Sequence, residues 1–396
     1  MKKFQKILEG LKNNSPLPLL FENGYTPVTI KAEIVETFKP YFQNSNNLEK
    51  YAIDFLVSDW INFLKISINH PGIENDIKLV LKSYEKAKKL SYDSTINVLS
   101  KLIPLHLESG NKYWSFLNLE VHKVDLELYE FCQTSMKDIS DIIEGLTKSL
   151  YIENVLINKI KRGKPVDIPK TITNKLGNLI QDLIDNSDYS SLFIVPIENL
   201  KISDWRNIAA HHTYSIAGNT IKCESGEGVN KISFDLTRAE LFERVNYCMR
   251  TNQVLNMAHK IFGFDNLPEI SKRLEKRSVS DRPEIGFLMF SSALMSQGFE
   301  IKNINYDSEK AILELIDLTS ENPKDRGIHS SQLLTQLWFV TNSRYLEIKY
   351  FKNDGLLFLT SSIRSEIFEQ MQIDKKKDVT FFGENVSFKL ENGSYF

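Results

Sequence analysis

Apolar residues recur at intervals of three and four positions through the middle of the chain. The pattern runs over residues 139–150, continues through 152–160, and resumes over 176–184 after a break rich in lysine, glycine and proline. This spacing places the apolar side chains on one face of each helix, and such faces pack together to exclude water. We therefore predict a helical bundle over residues 118–265.

Local signals place strands and a further long helix inside this bundle. Gly218-Asn219 stands between two arms of alternating apolar residues, which predicts a β-hairpin, and residues 231–236 predict another strand. Thr237 and Glu240 form a capping-box pattern at the start of a long amphipathic segment that closes the bundle.

The C-terminal part of the chain repeats one order of elements. A helical segment followed by two strand segments occurs twice, with turns predicted at Asp307-Ser308 and at Asn353-Asp354-Gly355. This α-β-β repeat predicts an antiparallel sheet backed by helices, an arrangement suited to sensing or dimerisation. The predicted fold class is thus mainly α, with an α+β C-terminal domain.

These patterns divide the chain into four predicted segments. Residues 1–117 predict a mostly helical N-terminal domain without a chemical motif, and residues 118–265 form the bundle. Residues 266–284 predict a charged linker between domains, and residues 285–396 the α+β domain.

Composition and charge narrow the classes of function. The chain has 42% hydrophobic residues, 25% charged residues and a formal net charge of -2. This balance excludes a nucleic-acid coat protein or a membrane-surface protein held by bulk charge. Because no signal-like or membrane-spanning apolar run is present, we expect a cytoplasmic protein without a membrane partner.

The three cysteines suggest no special chemistry. Cys132, Cys223 and Cys248 are far apart in sequence and odd in number, so they predict neither a disulfide framework nor a cysteine knuckle for a metal. We expect buried free thiols.

The most informative stretch is SDWRNIAAHHTYSI, in which Ser203 or Asp204 is placed to cap a short helix. Adjacent helical residues point about 100° apart, so the neighbours His211 and His212 cannot both face one metal ion. We therefore predict no metal and no cofactor. Asn207 shares a helical face with His211, whereas Arg206 points about 140° away from His211.

Arginine, asparagine and histidine together suit a phosphodiester. A guanidinium pairs with phosphate oxygens, an amide holds the backbone, and an imidazole exchanges protons near neutral pH. In RNA the nucleophile is already in the substrate, because the ribose 2′-hydroxyl can attack the adjacent phosphorus without a metal.

Arg206 to His211 reads R-N-x-x-x-H, which resembles the signature of the HEPN-superfamily ribonucleases of toxin–antitoxin pairs, abortive-infection proteins and CRISPR-associated RNases. The resemblance covers residues 118–265. In that family a four- or five-helix bundle carries the motif, and two bundles pair so that their Arg and His residues form one cleft. The resemblance implies a metal-independent endoribonuclease, a bacterial antiphage defence or toxin effector, that is a homodimer through its helical bundle.

The working histidine stays open between two positions. The spacing from Arg to His varies in the family, and His212-Thr213-Tyr214 matches the H-x-Y ending of some HEPN toxins. In such toxins a partner antitoxin can nucleotidylate the tyrosine, so Tyr214 is a candidate regulatory position. A partner antitoxin or a trigger molecule is expected accordingly.

Other charged residues supply weaker signals. Lys161, Arg162 and Lys164 lie in a basic loop and are candidates for RNA contact, although a charged loop is often simply solvated. The remaining histidines have no partner at a useful spacing and are interpreted as structural or surface residues; they are His70, His106, His122, His259 and His329.

Two other functions are compatible with the same residues. The first is a non-catalytic HEPN-like protein that binds nucleotide or RNA through Arg206, and the second is an interaction scaffold. In a purely structural interpretation, Asn207 and one histidine satisfy buried backbone groups where the helix meets the hairpin.

Overall fold

The computed structural model of the protein describes residues 16–116, 126–228, 231–274, 283–374 and 379–391. The chain forms two compact units, each built from separate segments. Of the described residues, those within 1–37, 49–61 and 280–396 form the sheet unit, and those within 38–48 and 62–279 form the helical unit. Residues of the predicted N-terminal domain thus occur in both units. The predicted linker region contains one short helix before residue 275.

The protein is mainly helical. The helices are α1 (Leu17–Glu22), α2 (Pro27–Phe38), α3 (Ser45–Phe55), α4 (Val57–Asn69), α5 (Ile73–Leu90), α6 (Tyr92–Phe116), α7 (Leu128–Ser140), α8 (Lys148–Lys161), α9 (Ile168–Ile172), α10 (Leu176–Asn186), α11 (Ile202–Ala210), α12 (Arg238–Asp265), α13 (Leu267–Lys272), α14 (Pro283–Ser296), α15 (Pro323–Ser331), α16 (Leu334–Thr341), α17 (Ser365–Ile373) and α18 (Val379–Asn385). The strands are β1 (Ile194–Val195), β2 (Leu200–Lys201), β3 (Tyr214–Ala217), β4 (Thr220–Ser225), β5 (Ile232–Leu236), β6 (Phe299–Tyr306), β7 (Lys310–Asp317), β8 (Tyr345–Phe351), β9 (Leu357–Arg364) and β10 (Ser387–Leu390).

Helix α8 is the central helix of the helical unit. Ten consecutive residues, 149–158, are buried, and the helix packs against α5, α6, α10 and α12. A helix surrounded in this way must be apolar on every side or must pair its polar groups. Two asparagines of α8 do so with one tyrosine: Asn158 donates to the hydroxyl of Tyr189 at 2.8 Å, and that hydroxyl donates to Asn154 at 2.7 Å.

A π-helical segment, Asp141–Leu146, joins α7 to α8. In the wider π turn, the carbonyl of Ile142 accepts hydrogen bonds from a residue five positions later. Thr147 donates to it with both its backbone N–H (3.0 Å) and its hydroxyl (2.7 Å). Asn252 of α12 donates to the same hydroxyl at 3.1 Å. Single π turns of this kind interrupt α-helices frequently at functional sites.

The predicted hairpin and capping box are confirmed. β3, β4 and β5 form an antiparallel three-stranded sheet whose first hairpin turns at Gly218-Asn219. At the start of α12, the backbone N–H of Thr237 donates to Glu240 at 2.7 Å, and the N–H of Glu240 donates to the Thr237 hydroxyl at 3.2 Å. The three cysteines are buried free thiols, as predicted.

The sheet unit contains a five-stranded sheet of order β10-β9-β8-β7-β6, backed by helices. The two α-β-β repeats are present, but the prediction of an antiparallel sheet is wrong at one pair: β7 and β8 run parallel. The reason is the connection between them, because α15 and α16 return the chain to the end of the sheet at which β7 began. The sheet is therefore mixed.

No described helix combines the length and the apolar composition that crossing a bilayer requires.

Candidate functional site

Helix α11 carries the motif and is anchored by its inner face. Ile202, Trp205, Ile208 and Ala209 are buried at the helical spacing of three and four, and the helix packs on α7 and β4. The ring of Trp205 meets Phe234 of β5 edge-on, with ring centroids 5.6 Å apart. This anchoring fixes the direction in which the opposite face points.

The start of α11 differs from the prediction by two to three residues. The helix begins at Ile202 with Lys201 as its N-cap, so neither Ser203 nor Asp204 is the capping residue. Asp204 instead accepts a hydrogen bond from the N–H of Lys201 at 3.2 Å. Ser203 is buried. A carboxylate in the first helical turn also interacts favourably with the helix dipole.

Arg206 is oriented by a carboxylate of the π-helical segment. Its Nε and Nη2 both donate to Oε2 of Glu144, at 2.8 Å and 2.5 Å. The pair is partly open to solvent, with 27% of the Arg206 side chain and 39% of the Glu144 side chain exposed. Charge-assisted bonds of this kind hold the plane of a guanidinium in one orientation.

Asn207 lies exposed on the outer face of α11, and His211, which caps the C-terminal end of this helix, is exposed as well. Nη1 of Arg206 donates to Oδ1 of Asn207 at 3.4 Å, so the guanidinium borders this face despite the helical angle between Arg206 and His211. The junction with the hairpin is closed by other groups: the hydroxyl of Thr213 donates to the carbonyl of Glu224 at 2.7 Å. This junction bond involves neither Asn207 nor His211.

His212, two residues after the last residue of α11, has a left-handed conformation with φ of 53°. The N–H of Thr213 bonds back to the carbonyl of Ile208 at 3.1 Å, which is the closing bond of a Schellman cap. The residue at this position in such caps is usually glycine, because a side chain makes the left-handed conformation costly. A histidine at this position therefore has a conformational cost that a packing role does not explain, since His212 is exposed.

Tyr214 lies beside His212 at the start of β3. The Tyr214 hydroxyl is 3.4 Å from Nδ1 of His212, and the two rings are 5.9 Å apart. Partial burial, followed by the nearby Cys132, raises the pKa of Tyr214 above its ordinary value.

The predicted RNA-binding residues lie at or just beyond the end of α8, and two of the three form ion pairs within the protein. Lys161 pairs with Asp188 at 3.2 Å, and Arg162 pairs with Asp182 of α10 at 3.4 Å. Lys164 is exposed, and its side chain has no ion-pair partner in the described part of the chain. Of the three, Lys164 is the residue most available to an anionic ligand.

A second cluster in the helical unit was missed by sequence reasoning. Glu153 of α8 is fully buried, and His106 of α6 and His259 of α12 contact its two oxygens at 2.7 Å and 2.8 Å. Tyr84 of α5 donates to the same carboxylate at 2.5 Å. Burial alone would raise the pKa of Glu153, but the two imidazoles outweigh it and hold the pKa well below the usual range.

His106 and His259 thus have a partner in Glu153 that sequence spacing did not reveal, and their interpretation as structural residues is compatible with it. His106 and His259 lie 47 and 106 residues from Glu153 in the sequence, so no short spacing indicates that they contact it. The sequence offered one signal, which was a single carboxylate within an apolar helical stretch. A buried helix tolerates a carboxylate only when the carboxylate is paired. Of the other histidines, His329 bonds to Gln297 at 3.1 Å, and His122 lies outside the described residues.

Comparisons of the chain with protein-family models, with curated proteins and with solved structures return no match.

The variant His212→Gly tests whether the left-handed backbone conformation of His212 lowers the stability of the protein. We expect the free energy of unfolding to rise by about 0.5–1 kcal/mol. Glycine removes the steric cost of the left-handed conformation, and the additional backbone entropy that glycine loses on folding is smaller than this gain. Urea unfolding followed by circular dichroism measures the change. Asn342→Gly is the matched control, since Asn342 ends α16 with φ of 52°.

If His212→Gly instead destabilises the protein, the side chain of His212 contributes to packing and the functional interpretation of its position is lost.

Proposed function

We propose that the protein is a metal-independent endoribonuclease of the HEPN type that acts as a bacterial antiphage defence or toxin effector. The supporting observation is the outer face of α11, where Asn207 and His211 are exposed and the Arg206 guanidinium borders them. These side chains project from a helix whose other face is fixed in the core, and catalytic groups need such rigid support.

The reaction uses the nucleophile in the substrate. A histidine takes the proton of a ribose 2′-hydroxyl, O2′ attacks the adjacent phosphorus, and the bond from phosphorus to O5′ breaks as an acid protonates the leaving oxygen. The products are a 2′,3′-cyclic phosphate and a 5′-hydroxyl end. His211 is the histidine proposed for proton transfer, with His212 as the alternative, and Asn207 holds the phosphate backbone.

Arg206 stabilises the charge that develops on the phosphate oxygens. Glu144 occupies Nε and Nη2 of the guanidinium, which leaves the Nη1 side directed toward Asn207. An ion pair open to solvent to this degree contributes little stability, so a phosphate can compete for the guanidinium. Glu144 is accordingly a positioning residue in this proposal.

The Glu144 pair also favours a second candidate function. A guanidinium that is already paired with a carboxylate stabilises the charge of a transition state less strongly. This property fits an HEPN-like protein that binds nucleotide or RNA without cleaving it. Labelled RNA distinguishes the two candidates, because it is shifted but left intact in the second case.

The proposed active form is a homodimer through the helical bundle. One histidine cannot act as base and acid in the same step, and a two-fold interface supplies a second copy of each side chain. The cost is the repulsion between two Arg206 guanidinium groups, which Glu144 offsets in the free protein and which the phosphates of RNA offset in the complex. Lys164 extends the RNA path, and Tyr214 is the site at which a partner antitoxin or a trigger molecule would regulate the enzyme.

Arg206→Ala and His211→Ala should each abolish RNA cleavage and leave the fold intact. The loss we expect from removing one charge-stabilising donor is about 100-fold to 1000-fold in rate. Wild-type protein is incubated with total bacterial RNA in EDTA, and sequencing maps the ends, which should carry 2′,3′-cyclic phosphates. Arg344→Ala, an exposed arginine of the sheet unit, and His70→Ala are the matched controls.

Full activity of a folded Arg206→Ala protein would overturn the assignment. Ends that carry 3′-hydroxyls, or cleavage that requires added magnesium, would exclude this mechanism.

A mixture of Arg206→Ala and His211→Ala protomers should regain part of the wild-type activity. This holds if arginine and histidine have distinct roles in a shared cleft, because a heterodimer keeps one working arginine and one working histidine, whereas neither homodimer has both. Mixing Arg206→Ala with the double variant is the control, because that partner contributes neither residue. A protein that is monomeric by light scattering while it cleaves RNA at full rate would contradict the composite site.

A further inference from the structure

Three helices bring two imidazoles onto one buried carboxylate. Nε2 of His106 in α6 is 2.7 Å from Oε2 of Glu153, and Nδ1 of His259 in α12 is 2.8 Å from Oε1. The two rings lie 4.3 Å apart, and one donor atom from each residue lies within 4.8 Å of the others. The nitrogens thus converge on the two oxygens of a single side chain.

The carboxylate is a buried charge that needs a positive partner. Glu153 has no exposed surface, and in the described part of the chain its ion pairs are with the two histidines and with no lysine or arginine. Isolating a carboxylate from water without a counter-charge is expensive. Either a protonated imidazole or a bound cation supplies that charge, and the donor set fits a cation.

The groups around the cluster match the surroundings of a metal ligand. The second ring nitrogen of His106, Nδ1, is 3.1 Å from the hydroxyl of Ser149, and the hydroxyl of Ser109 donates to Ser149 at 3.0 Å. A histidine that binds metal with one nitrogen characteristically uses the other for such a hydrogen bond, which fixes its ring. Tyr84 fixes the carboxylate in the same way.

We propose that His106, Glu153 and His259 bind one divalent transition-metal ion of the zinc type. Two imidazole nitrogens and a carboxylate suit zinc and its neighbours, whereas magnesium and calcium prefer oxygen ligands alone. The His106 and His259 side chains are 13% and 20% exposed, which leaves the ion a route from solvent.

The ion ties α6, α8 and α12 together and takes no part in RNA cleavage. Its ligands come from parts of the chain that are far apart in sequence, so the free energy of metal binding becomes free energy of folding. The inference goes beyond the proposed function, which needs no metal, and it can be tested without measuring cleavage.

The test is metal content and affinity in the full-length protein. Wild-type chain is stripped with a chelating resin, titrated with Co²⁺ followed by its visible absorption, and then competed with Zn²⁺. We expect saturation at one ion per chain. His106→Gln and His259→Gln should each weaken binding more than about 100-fold, a loss larger than that from removing a supporting hydrogen bond.

Glutamine is the informative replacement because its amide N–H can still donate to Glu153. A cluster held only by hydrogen bonds tolerates it, whereas a metal site loses a ligand. Ser149→Ala should weaken Zn²⁺ binding about 10-fold to 100-fold through the orientation of His106. His70→Gln is the control and should bind as the wild type does.

The zinc X-ray absorption spectrum of the loaded wild-type protein gives a result independent of any variant. We expect nitrogen and oxygen neighbours with the outer-shell scattering of two imidazoles. Sulfur neighbours, a stripped wild type that takes up no ion, or glutamine variants that bind like the wild type would overturn the proposal. Loss of zinc with retained RNA cleavage would leave the proposed function untouched.

Discussion

The helical unit depends on the buried carboxylate of Glu153. Tyr84, His106 and His259 reach it from α5, α6 and α12, so one side chain joins four helices. A buried charge of this kind stabilises one arrangement and penalises alternatives, because each lost partner leaves an unsatisfied group in a medium that solvates it poorly. The apolar faces bring the helices together, and the carboxylate selects how they meet.

The helix that carries Glu153 also links this centre to the candidate active site. α8 continues directly from the π-helical segment, and Glu144 within that segment holds the guanidinium of Arg206. The hydrogen bonds of Thr147, one of which comes from α12, support the π turn. The partner of Arg206 and the buried Glu153 thus lie nine residues apart on one continuous helical stretch, although the two sites differ in chemistry.

The sequence predicted elements whose signals are local. The alternation around Gly218-Asn219 and the capping box at Thr237 describe contacts between near neighbours, and both are present. The apolar face of 139–150 predicted the helix but not its π turn, because the hydrogen bonds that support this turn include one from Asn252, 105 residues away in α12.

The errors arise from contacts between distant parts of the chain. The repeat of one helix and two strands does not indicate whether β8 pairs with β7 in a parallel or an antiparallel direction. The direction depends on the path of α15 and α16 between these strands. The histidine pair on Glu153 likewise required the bundle to be assembled first. At the candidate site, the shared face of Asn207 and His211 followed from periodicity, whereas its exposure and the contact of Arg206 with Glu144 did not.

The most direct test of the account concerns the atom that attacks phosphorus. An RNA oligonucleotide that contains a mapped cleavage site is compared with the same oligonucleotide carrying a single 2′-deoxyribose on the 5′ side of the scissile phosphate. We predict that cleavage at that phosphate disappears while binding is retained, because the 2′-hydroxyl is the nucleophile. Continued cleavage at the modified position would show that water attacks instead, and the proposed chemistry of Arg206 and His211 would be contradicted.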